Sequence, residues 1–251
     1  MTAKKTRASG SWRVTGDRKN RVARGAYACH LSPVARHPSA FTLVELLVVI
    51  SIIGLLAAFI FPVTAAIEKN KYITRSRLEM GQVGTAIDDY KDTYGFYPPD
   101  NPGNPLLNQL YYELIGTTNT ASGTFQTLDG SSTVTSGTLT STFGGVSAFI
   151  NCSKPGSGEQ VVAGRNFLHE LRPTQTTPYN GVTLLVASVG GPDANYAPLT
   201  GSASNPWRYI SSNPTNNPNS YDLWVQLSIS GNKYLVCNWN NKQAQVNSPL
   251  P

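Results

Sequence analysis

The apolar residues of this chain are concentrated in one long run, from residue 41 to residue 61, in which the only charged side chain is Glu45. At about 1.5 Å of rise per residue, a helix of this length can cross the apolar part of a bilayer. An ionised carboxylate inside such a helix costs roughly 2.5 kcal/mol or more, and it persists mainly where it has a partner or a function. The pattern therefore predicts a transmembrane helix over 41–61 in which Glu45 has a specific use.

After this run, apolar residues recur with the spacing of one face of a helix. The positions are Ile73, Met80, Val83, Ile87, Tyr90 and Tyr94. Gly95 and the Pro98-Pro99 pair are typical of a helix end. Residues 62–97 are therefore predicted to continue the first helix as an amphipathic segment, which gives one helix of about 55 residues. Pro62 lacks an N–H and clashes with the preceding turn, so a kink or local melting is expected there.

From residue 98 onward the composition changes to Ser, Thr, Asn, Gly and Pro with few charges, which is typical of strands and turns. The predicted strands are 146–150, 182–189, 207–210, 221–229 and 233–239. The predicted helices are 106–115 and a short one at 165–171, and the segment 117–142 is interpreted as a surface insertion. Residues 98–251 are long enough for one hydrophobic core, so the expected fold class is α+β, with the long N-terminal helix packed on an antiparallel sheet.

The clearest local pattern is a hairpin near the C-terminus. Apolar residues alternate with other residues from Tyr221 to Ile229, and Gly231-Asn232 is a recognised two-residue hairpin loop. With this loop setting the register, the expected cross-strand pairs are Ile229 with Tyr234, Leu227 with Val236, and Trp224 with Trp239. The two tryptophans are thus expected to cover one side of the hairpin.

The residues up to Glu45 read Ala-Phe-Thr-Leu-Val-Glu, with the small Ala40 directly before Phe41. A cut between Ala40 and Phe41 would create a positive α-amine at the head of the helix, as a partner for Glu45. This arrangement resembles the type III signal of type IV pilins and type II secretion pseudopilins. The resemblance implies that prepilin peptidase cuts between Ala40 and Phe41 and methylates the amine of Phe41. The residue before the cut is usually Gly in that family, and here it is alanine.

Further segments resemble the same family. Residues 88–98 look like the end of the pseudopilin helix, and residues 205–209 and 221–224 look like two elements of the major pseudopilin. The resemblance implies that Glu45 neutralises the N-terminal amine of a neighbouring subunit and sets the register of the filament. It also implies the partners, which are prepilin peptidase, other copies of the chain and related pilins, the inner-membrane assembly machinery and membrane lipid.

Other interpretations of the apolar run stay open. The run can be an ordinary membrane anchor, or a secretory signal for which Val63-Thr64-Ala65 offers small residues at a plausible cleavage site. A secretory h-region normally has about 7–15 residues and holds no Glu, which counts against the second alternative. Glu45 itself can also be a residue that snorkels to the interface near the head of the helix.

The formal net charge of +6 suggests a basic protein, but the basic residues are unevenly placed. Nine of the twenty Lys and Arg lie in residues 1–40, where only Asp17 opposes them, and the rest of the chain is slightly acidic. Residues 1–40 are interpreted as a basic leader that is removed, so the charge does not favour a nucleic-acid partner. The charges alone do not orient the chain in a membrane. The resemblance, the cysteines and the composition after residue 98 together predict a single-pass protein of the inner membrane, with a cytoplasmic N-terminus and residues 98–251 in the periplasm or outside the cell.

Two pairs of residues are candidate structural sites. Cys29 falls in the leader, so Cys152 and Cys237 remain, either as a disulfide or as two separate buried thiols. In the major pseudopilin a calcium ion braces the C-terminal loop, so the resemblance makes Asp193 and Asp222 candidate calcium ligands. The alternative is that both carboxylates bond the backbone of turns. No cofactor other than this calcium is expected.

Catalytic motifs are sparse. His169 is the only histidine after the leader, and neither a Gly-x-Ser-x-Gly segment nor a phosphate-binding Gly loop is present. A Cys152–His169 nucleophile pair has only the two residue types in its favour, so no enzymatic activity is expected. The sequence favours a structural subunit, a pseudopilin or pilin, of a type II secretion or type IV pilus filament. The alternatives are a minor pilin or membrane-tethered module that recognises a substrate or DNA, and a membrane-anchored enzyme.

Overall fold

The structure, a computed structural model, describes residues 41–121, 123–153, 163–189, 193, 196–240 and 244–247. The chain divides into two compact units, Met1–Ile52 and Ile53–Pro251. The first unit, as far as it is described, is helical from Leu43 onward. The second contains the rest of that helix together with short helices and mainly antiparallel β-sheets, which agrees with the predicted α+β class. Ala40 and the other residues of the predicted leader lie outside the described residues.

Helix α1 spans Leu43–Tyr94, which is 52 residues, so the prediction of one long helix is confirmed. It ends at Gly95, whose positive φ of 83° suits glycine and whose N–H donates to the Lys91 carbonyl at 2.7 Å. The helix is continuous through position 62. The side chain of Pro62 lies outside the described part, and the kink expected there stays a prediction. Within the described part of the chain, no helix meets the combined requirement of length and hydropathy for a membrane span.

The second half of α1 packs on the core through the predicted stripe. All of its members are buried or half-buried against that core, namely Ile73, Met80, Val83, Ile87, Tyr90 and Tyr94. The stripe also contains two buried polar side chains that the hydrophobic pattern does not reveal, Ser76 and Glu79. The Glu79 carboxylate accepts the Ser188 N–H at 2.9 Å and a short hydrogen bond from the Ser188 hydroxyl. These bonds hold α1 against Ser188, the residue that directly follows the central strand Val182–Ala187.

The described strands are short and form three sheets. They are β1 (Thr117–Ala121), β2 (Thr124–Thr127), β3 (Thr133–Thr135), β4 (Cys152–Ser153), β5 (Thr176–Tyr179), β6 (Val182–Ala187), β7 (Asn205–Pro206), β8 (Arg208–Ile210), β9 (Asp222–Ile229), β10 (Asn232–Cys237) and β11 (Gln245–Val246). The sheet orders are β3-β2-β1-β4, β11-β10-β9-β8 and β5-β6-β7, with β1 and β4 parallel and the other pairs antiparallel. Every residue of β9 is buried, which places this strand at the centre of the domain.

The predicted helix at 165–171 and the predicted strand at 146–150 are wrong. The N–H groups of Arg165 and Phe167 donate to Asn151 Oδ1 and to the Leu114 carbonyl, so this segment is bound to residues distant in the sequence and adopts no regular element. The Ile150 N–H donates to the buried carboxylate of Glu113. Long-range partners therefore replace the regular backbone bonds that local composition predicted. The nearest regular elements are β4 and a 3-10 helix at Pro173–Gln175.

The segment 117–142 is not a surface insertion. It forms β1, β2, β3 and the helix α3 (Ser136–Thr142), and three of its side chains, Phe125, Val134 and Leu139, are buried in the main core. Ahead of it, the helix predicted at 106–115 is present but shorter, as α2 (Leu110–Ile115). The Thr- and Ser-rich composition suggested a surface segment, but these three apolar side chains are enough to anchor it in the core.

The β9–β10 hairpin is confirmed, but its predicted register is wrong by two residues. The turn is Ser230-Gly231, both with positive φ (53° and 77°), as a type I′ turn requires. The observed pairs are Ile229 with Asn232, Leu227 with Tyr234, and Trp224 with Cys237. The Trp224 and Trp239 rings still touch, edge to face with centroids 5.9 Å apart, although Trp239 lies beyond the end of β10.

Candidate functional site

The start of α1 is organised by reciprocal hydrogen bonds between Thr42 and Glu45. The Thr42 N–H and hydroxyl both donate to Glu45 Oε2 at 2.9 Å, and the Glu45 N–H donates to Thr42 Oγ1 at 3.2 Å. This is a capping box, which satisfies backbone N–H groups that have no partner inside the helix. The Thr-x-x-Glu spacing is visible in the sequence, and it gives Glu45 a local role that its charge alone did not reveal.

The Glu45 carboxylate keeps the capacity to bind a second partner. Both bonds from Thr42 end on Oε2, and among the described residues no hydrogen bond reaches Oε1. The group is exposed, four residues after Phe41, whose side chain is 77% exposed. A protonated amine from another chain can therefore bond Oε1 while the cap stays in place, and a charge-assisted bond of this kind is among the stronger hydrogen bonds.

The surroundings of this carboxylate are apolar and unpacked. The large apolar side chains from Phe41 to Phe59 are exposed on all sides of α1: Phe41, Leu43, Val44, Leu46, Leu47, Val48, Val49, Ile50, Ile52, Ile53, Leu55, Leu56 and Phe59. A helix that is apolar all round is stable where it is buried, in lipid or among other protein helices. The start of α1 is thus a surface that needs a nonaqueous environment, with one carboxylate in its first turn.

The candidate calcium ligands Asp193 and Asp222 lie at opposite ends of β9. Asp193 accepts bonds from the Ser228 hydroxyl at 2.7 Å and from the N–H groups of Ser230 and Gly231 at 2.9 and 3.1 Å. Since β9 rises about 3.3 Å per residue, Asp222 lies roughly 20 Å from Ser228. The two carboxylates therefore cannot share an ion.

Asp222 is also engaged by the backbone. It accepts the N–H groups of Asn216 and Asn217, each at 2.9 Å, and the Asn216 side-chain amide at 3.0 Å. Both aspartates thus bond the backbone of turns, which was the alternative to calcium. Among the described residues, no group of three or more His, Cys, Asp or Glu side chains is placed to hold a metal ion.

The role of Asp193 at the hairpin turn gives a testable pH dependence. The Ser228 hydroxyl, together with the Gly231 and Ser230 N–H groups, lowers the pKa of Asp193. A lowered pKa stabilises the fold above the pKa of the unfolded state, and the effect disappears as the pH falls through the folded-state pKa. We expect Asp193→Asn to lower the melting temperature at neutral pH but much less in acid. Thermal melts of both chains across this range measure it, with the exposed Asp92→Asn as the control, and an equal loss at all pH values would contradict the assignment.

The cysteines are not paired. Cys152 is half-buried in β4, Cys237 is buried in β10 of a different sheet, and both are free thiols. The structure thus does not form the candidate Cys152–Cys237 disulfide and favours the alternative of two separate thiols. His169 is exposed, and the hydrogen bond described for Cys152 goes to the Ser153 carbonyl at 3.6 Å. The structure gives no contact between Cys152 and His169.

A buried carboxylate that the sequence did not single out joins three parts of the domain. Glu113 of α2 is fully buried and accepts bonds from the Tyr90 hydroxyl (3.0 Å) and from the N–H groups of Ile150 (2.9 Å) and Asn151 (3.0 Å). Desolvation raises the pKa of Glu113, and these donors oppose the rise. The group is enclosed, so its role is to hold α1, α2 and the segment before β4 together.

The comparisons with known proteins concern the start of α1. Residues 36–61 match the family model described as the prokaryotic N-terminal methylation motif, and this segment contains Ala40, Phe41 and Glu45. The recognition of a type IV pilin or pseudopilin signal is therefore confirmed. No curated protein and no solved structure matches the chain. The α+β fold, with its N-terminal helix and C-terminal antiparallel sheets, is compatible with a pilin-like protein.

Proposed function

We propose that the chain is a structural subunit, a pseudopilin or pilin, of a type II secretion or type IV pilus filament. Prepilin peptidase removes the basic leader 1–40 by cutting between Ala40 and Phe41, and it methylates the new amine. Residues 41–61 then hold the subunit in the inner membrane and later lie in the filament core. Residues 62–97 continue the helix, and residues 98–251 form the extracytoplasmic domain.

One observation carries this proposal: the first turn of α1 presents an accessible carboxylate at the head of an exposed apolar segment, inside a methylation motif. Burying a large apolar side chain contributes about 1.5–3 kcal/mol. The exposed side chains from Phe41 to Phe59 therefore favour any environment that covers them. Lipid covers them before assembly, and the helices of other subunits cover them afterwards.

Glu45 gives this association a register. Inside a bundle of apolar helices, an unpaired amine or carboxylate is costly, so each N-terminal amine is stable only beside a carboxylate. Glu45 Oε1 is such a partner, because Thr42 occupies Oε2 alone. A subunit that slides out of register leaves both charges unpaired, and this penalty selects the correct position.

The proposal predicts the first residue of the mature chain. When the chain is coexpressed with an active prepilin peptidase, we expect it to begin at Phe41 and to carry one methyl group on its amine. N-terminal sequencing and intact mass measure both features. A chain coexpressed with an inactive peptidase is the control, and it should keep residues 1–40.

Two outcomes would overturn this processing scheme. A mature chain that begins at Ile67 would indicate cleavage by signal peptidase after the small residues that precede it. Retention of residues 1–40 beside an active peptidase would indicate an ordinary membrane anchor. Both outcomes would remove the amine from Phe41 and with it the partner that the proposal assigns to Glu45.

A further inference from the structure

The second half of α1 has an exposed face with a regular composition. Residues on this face recur at alternating steps of four and three, which places them along one side of the helix. We define the outer stripe as the residues Ile67, Lys71, Thr74, Leu78, Gly81, Thr85, Asp88 and Asp92, all of which are exposed. The core-facing stripe described above lies elsewhere on the helix, so the outer stripe is available for contact.

Charge is segregated along the outer stripe. Its first half lines an open groove of about 570 Å³ whose walls include Ile67, Lys71, Arg75, Leu78 and Arg172, so three cations surround two exposed apolar side chains. Its last two turns carry Asp88 and Asp92, with the exposed Asp89 beside them. The ion pair among the described residues joins Arg75 to Glu79 and involves none of these aspartates.

The acidic end is unfavourable within a single subunit. The C-terminus of a helix carries a partial negative charge, which disfavours carboxylates in the last turns. Desolvation raises the pKa of Asp88, Lys91 opposes this effect, and the carboxylates of Asp92 and Asp89 add to it. Cations from outside the subunit would relieve this repulsion, and Lys71 on the outer stripe and Arg75 beside it are such cations.

The spacing of the charges matches between the two halves. Lys71 and Asp88 are seventeen residues apart, and Arg75 and Asp92 are separated by the same number. At 1.5 Å per residue this corresponds to about 26 Å along the helix. Two parallel copies displaced by that distance bring both charge pairs to the same level along the helix axis.

The same displacement also pairs apolar surface. It brings Leu78 of one copy, which is 71% exposed, to the level of Gly95 and Phe96 of the other, and the Phe96 side chain is 46% exposed. Exposed leucine and phenylalanine side chains gain by covering each other. A single displacement therefore serves two ion pairs and one apolar contact.

We propose that the outer stripe, together with Arg75 beside it, is a contact between two copies of this chain, parallel and displaced by about 26 Å, in which Lys71 and Arg75 of one copy face Asp88 and Asp92 of the next. This inference rests on the proposed filament, which supplies parallel copies of the subunit. It adds a second contact to the one at Glu45, at the level of the extracytoplasmic domain. The contact is head-to-tail, so each copy uses its basic half towards one neighbour and its acidic half towards another.

A charge swap tests the pairing in the full chain, expressed in cells that assemble it. The variants are Lys71→Glu, Asp88→Lys and the double variant, and the readout is assembled chain relative to membrane-fraction chain. Each single variant replaces an attraction by a repulsion at every contact, so we expect about a two- to tenfold loss of assembled chain. The double variant restores the attraction with opposite polarity and should recover most of the yield. Lys233→Glu, an exposed change of the same kind near the start of β10, is the control and should assemble normally.

Cysteine crosslinking tests the displacement. In a chain whose own cysteines are replaced by alanine, Lys71→Cys combined with Asp88→Cys should give a ladder of oxidised dimers and larger oligomers. Both positions lie on one helix about 26 Å apart, far beyond the reach of a disulfide, so any bridge joins two chains. The matched control, Lys71→Cys with Asp92→Cys, differs by one helical turn and should give little or no ladder.

The outcomes separate this contact from the filament itself. If the wild-type chain never assembles, the proposed function and this contact both fall. If the wild-type chain assembles but the double charge variant shows no recovery and the 71–88 pair gives no ladder, only this contact is overturned. The outer stripe then faces a partner other than a second copy.

Discussion

Replacing Glu45 by valine is expected to stop filament assembly while membrane insertion and cleavage between Ala40 and Phe41 continue. Valine makes the apolar run more hydrophobic, so insertion is not impaired. The amine of a neighbouring subunit, however, loses its partner inside an apolar core. An unpaired buried charge of this kind costs about 3–5 kcal/mol, a factor of more than a hundred at equilibrium. Filament yield relative to membrane-fraction abundance measures the effect.

The capping box makes a sharper comparison possible, because Glu45 has two roles. Glu45→Gln keeps an oxygen that can accept the Thr42 N–H but removes the charge, whereas Thr42→Ala removes the capping hydroxyl and keeps the charge. If the register role is correct, Glu45→Gln assembles as poorly as Glu45→Val, and Thr42→Ala assembles. Wild-type assembly of Glu45→Gln would show that the carboxylate serves only as a helix cap.

The sequence predicted those parts of the structure that depend on local chemistry. The length of α1 followed from an apolar run joined to a periodic stripe, and its end followed from Gly95, which adopts the positive φ that favours glycine. Four of the five predicted strands are present within about two residues of their predicted bounds, because alternating β-branched and aromatic residues mark them. The methylation signal was readable for the same reason, since all its residues lie within one short segment.

The predictions that proved wrong share a different cause. In those segments the backbone hydrogen bonds are made with residues that are distant in the sequence. Ser230 adopts a positive φ that serine rarely takes, and this moves the hairpin turn by one residue and its register by two. The N–H groups of Arg165 and Ile150 bond to side chains far away in the sequence. The local amino-acid composition around these residues does not predict such long-range hydrogen-bond partners.

The residues of the candidate site show the same difference between local and long-range partners. Thr42 and Glu45 are three residues apart, so the capping box was available from the sequence as a Thr-x-x-Glu signature. Glu113 has its partners 23 to 38 residues away, and only the folded chain reveals that its carboxylate is enclosed. The separation of Asp193 from Asp222 is likewise a consequence of strand length, which the resemblance could not supply.

Glu113 is expected to be the polar side chain whose loss costs the domain most. Three donors converge on its carboxylate, and Glu113→Leu would leave all three without this acceptor, two of them in buried positions. A buried donor left without its acceptor costs about 1–3 kcal/mol, so we expect a loss of about 3–5 kcal/mol of unfolding free energy. Chemical denaturation of the full chain in detergent measures the loss. Glu170→Leu, at an exposed position, is the matched control and should change the free energy by less than about 0.5 kcal/mol.

The stability of the milder variant Glu113→Gln, measured against pH, shows whether the Glu113 carboxyl is protonated in the folded state. Because burial raises the pKa of Glu113, the folded state holds the carboxyl proton more tightly than the unfolded state does. The stabilisation from proton binding is complete below the unfolded-state pKa and is lost as the pH rises through the folded-state pKa. A protonated Glu113 can donate to the Tyr90 oxygen and still accept both backbone N–H groups. Glutamine must turn one of its own N–H groups towards one of these donors, at a cost of about 1–3 kcal/mol.

We therefore expect the stability difference between wild type and Glu113→Gln to be largest in acid and to shrink towards neutral pH. A difference that grows with pH would show that the carboxylate is held ionised, with its donors outweighing its burial.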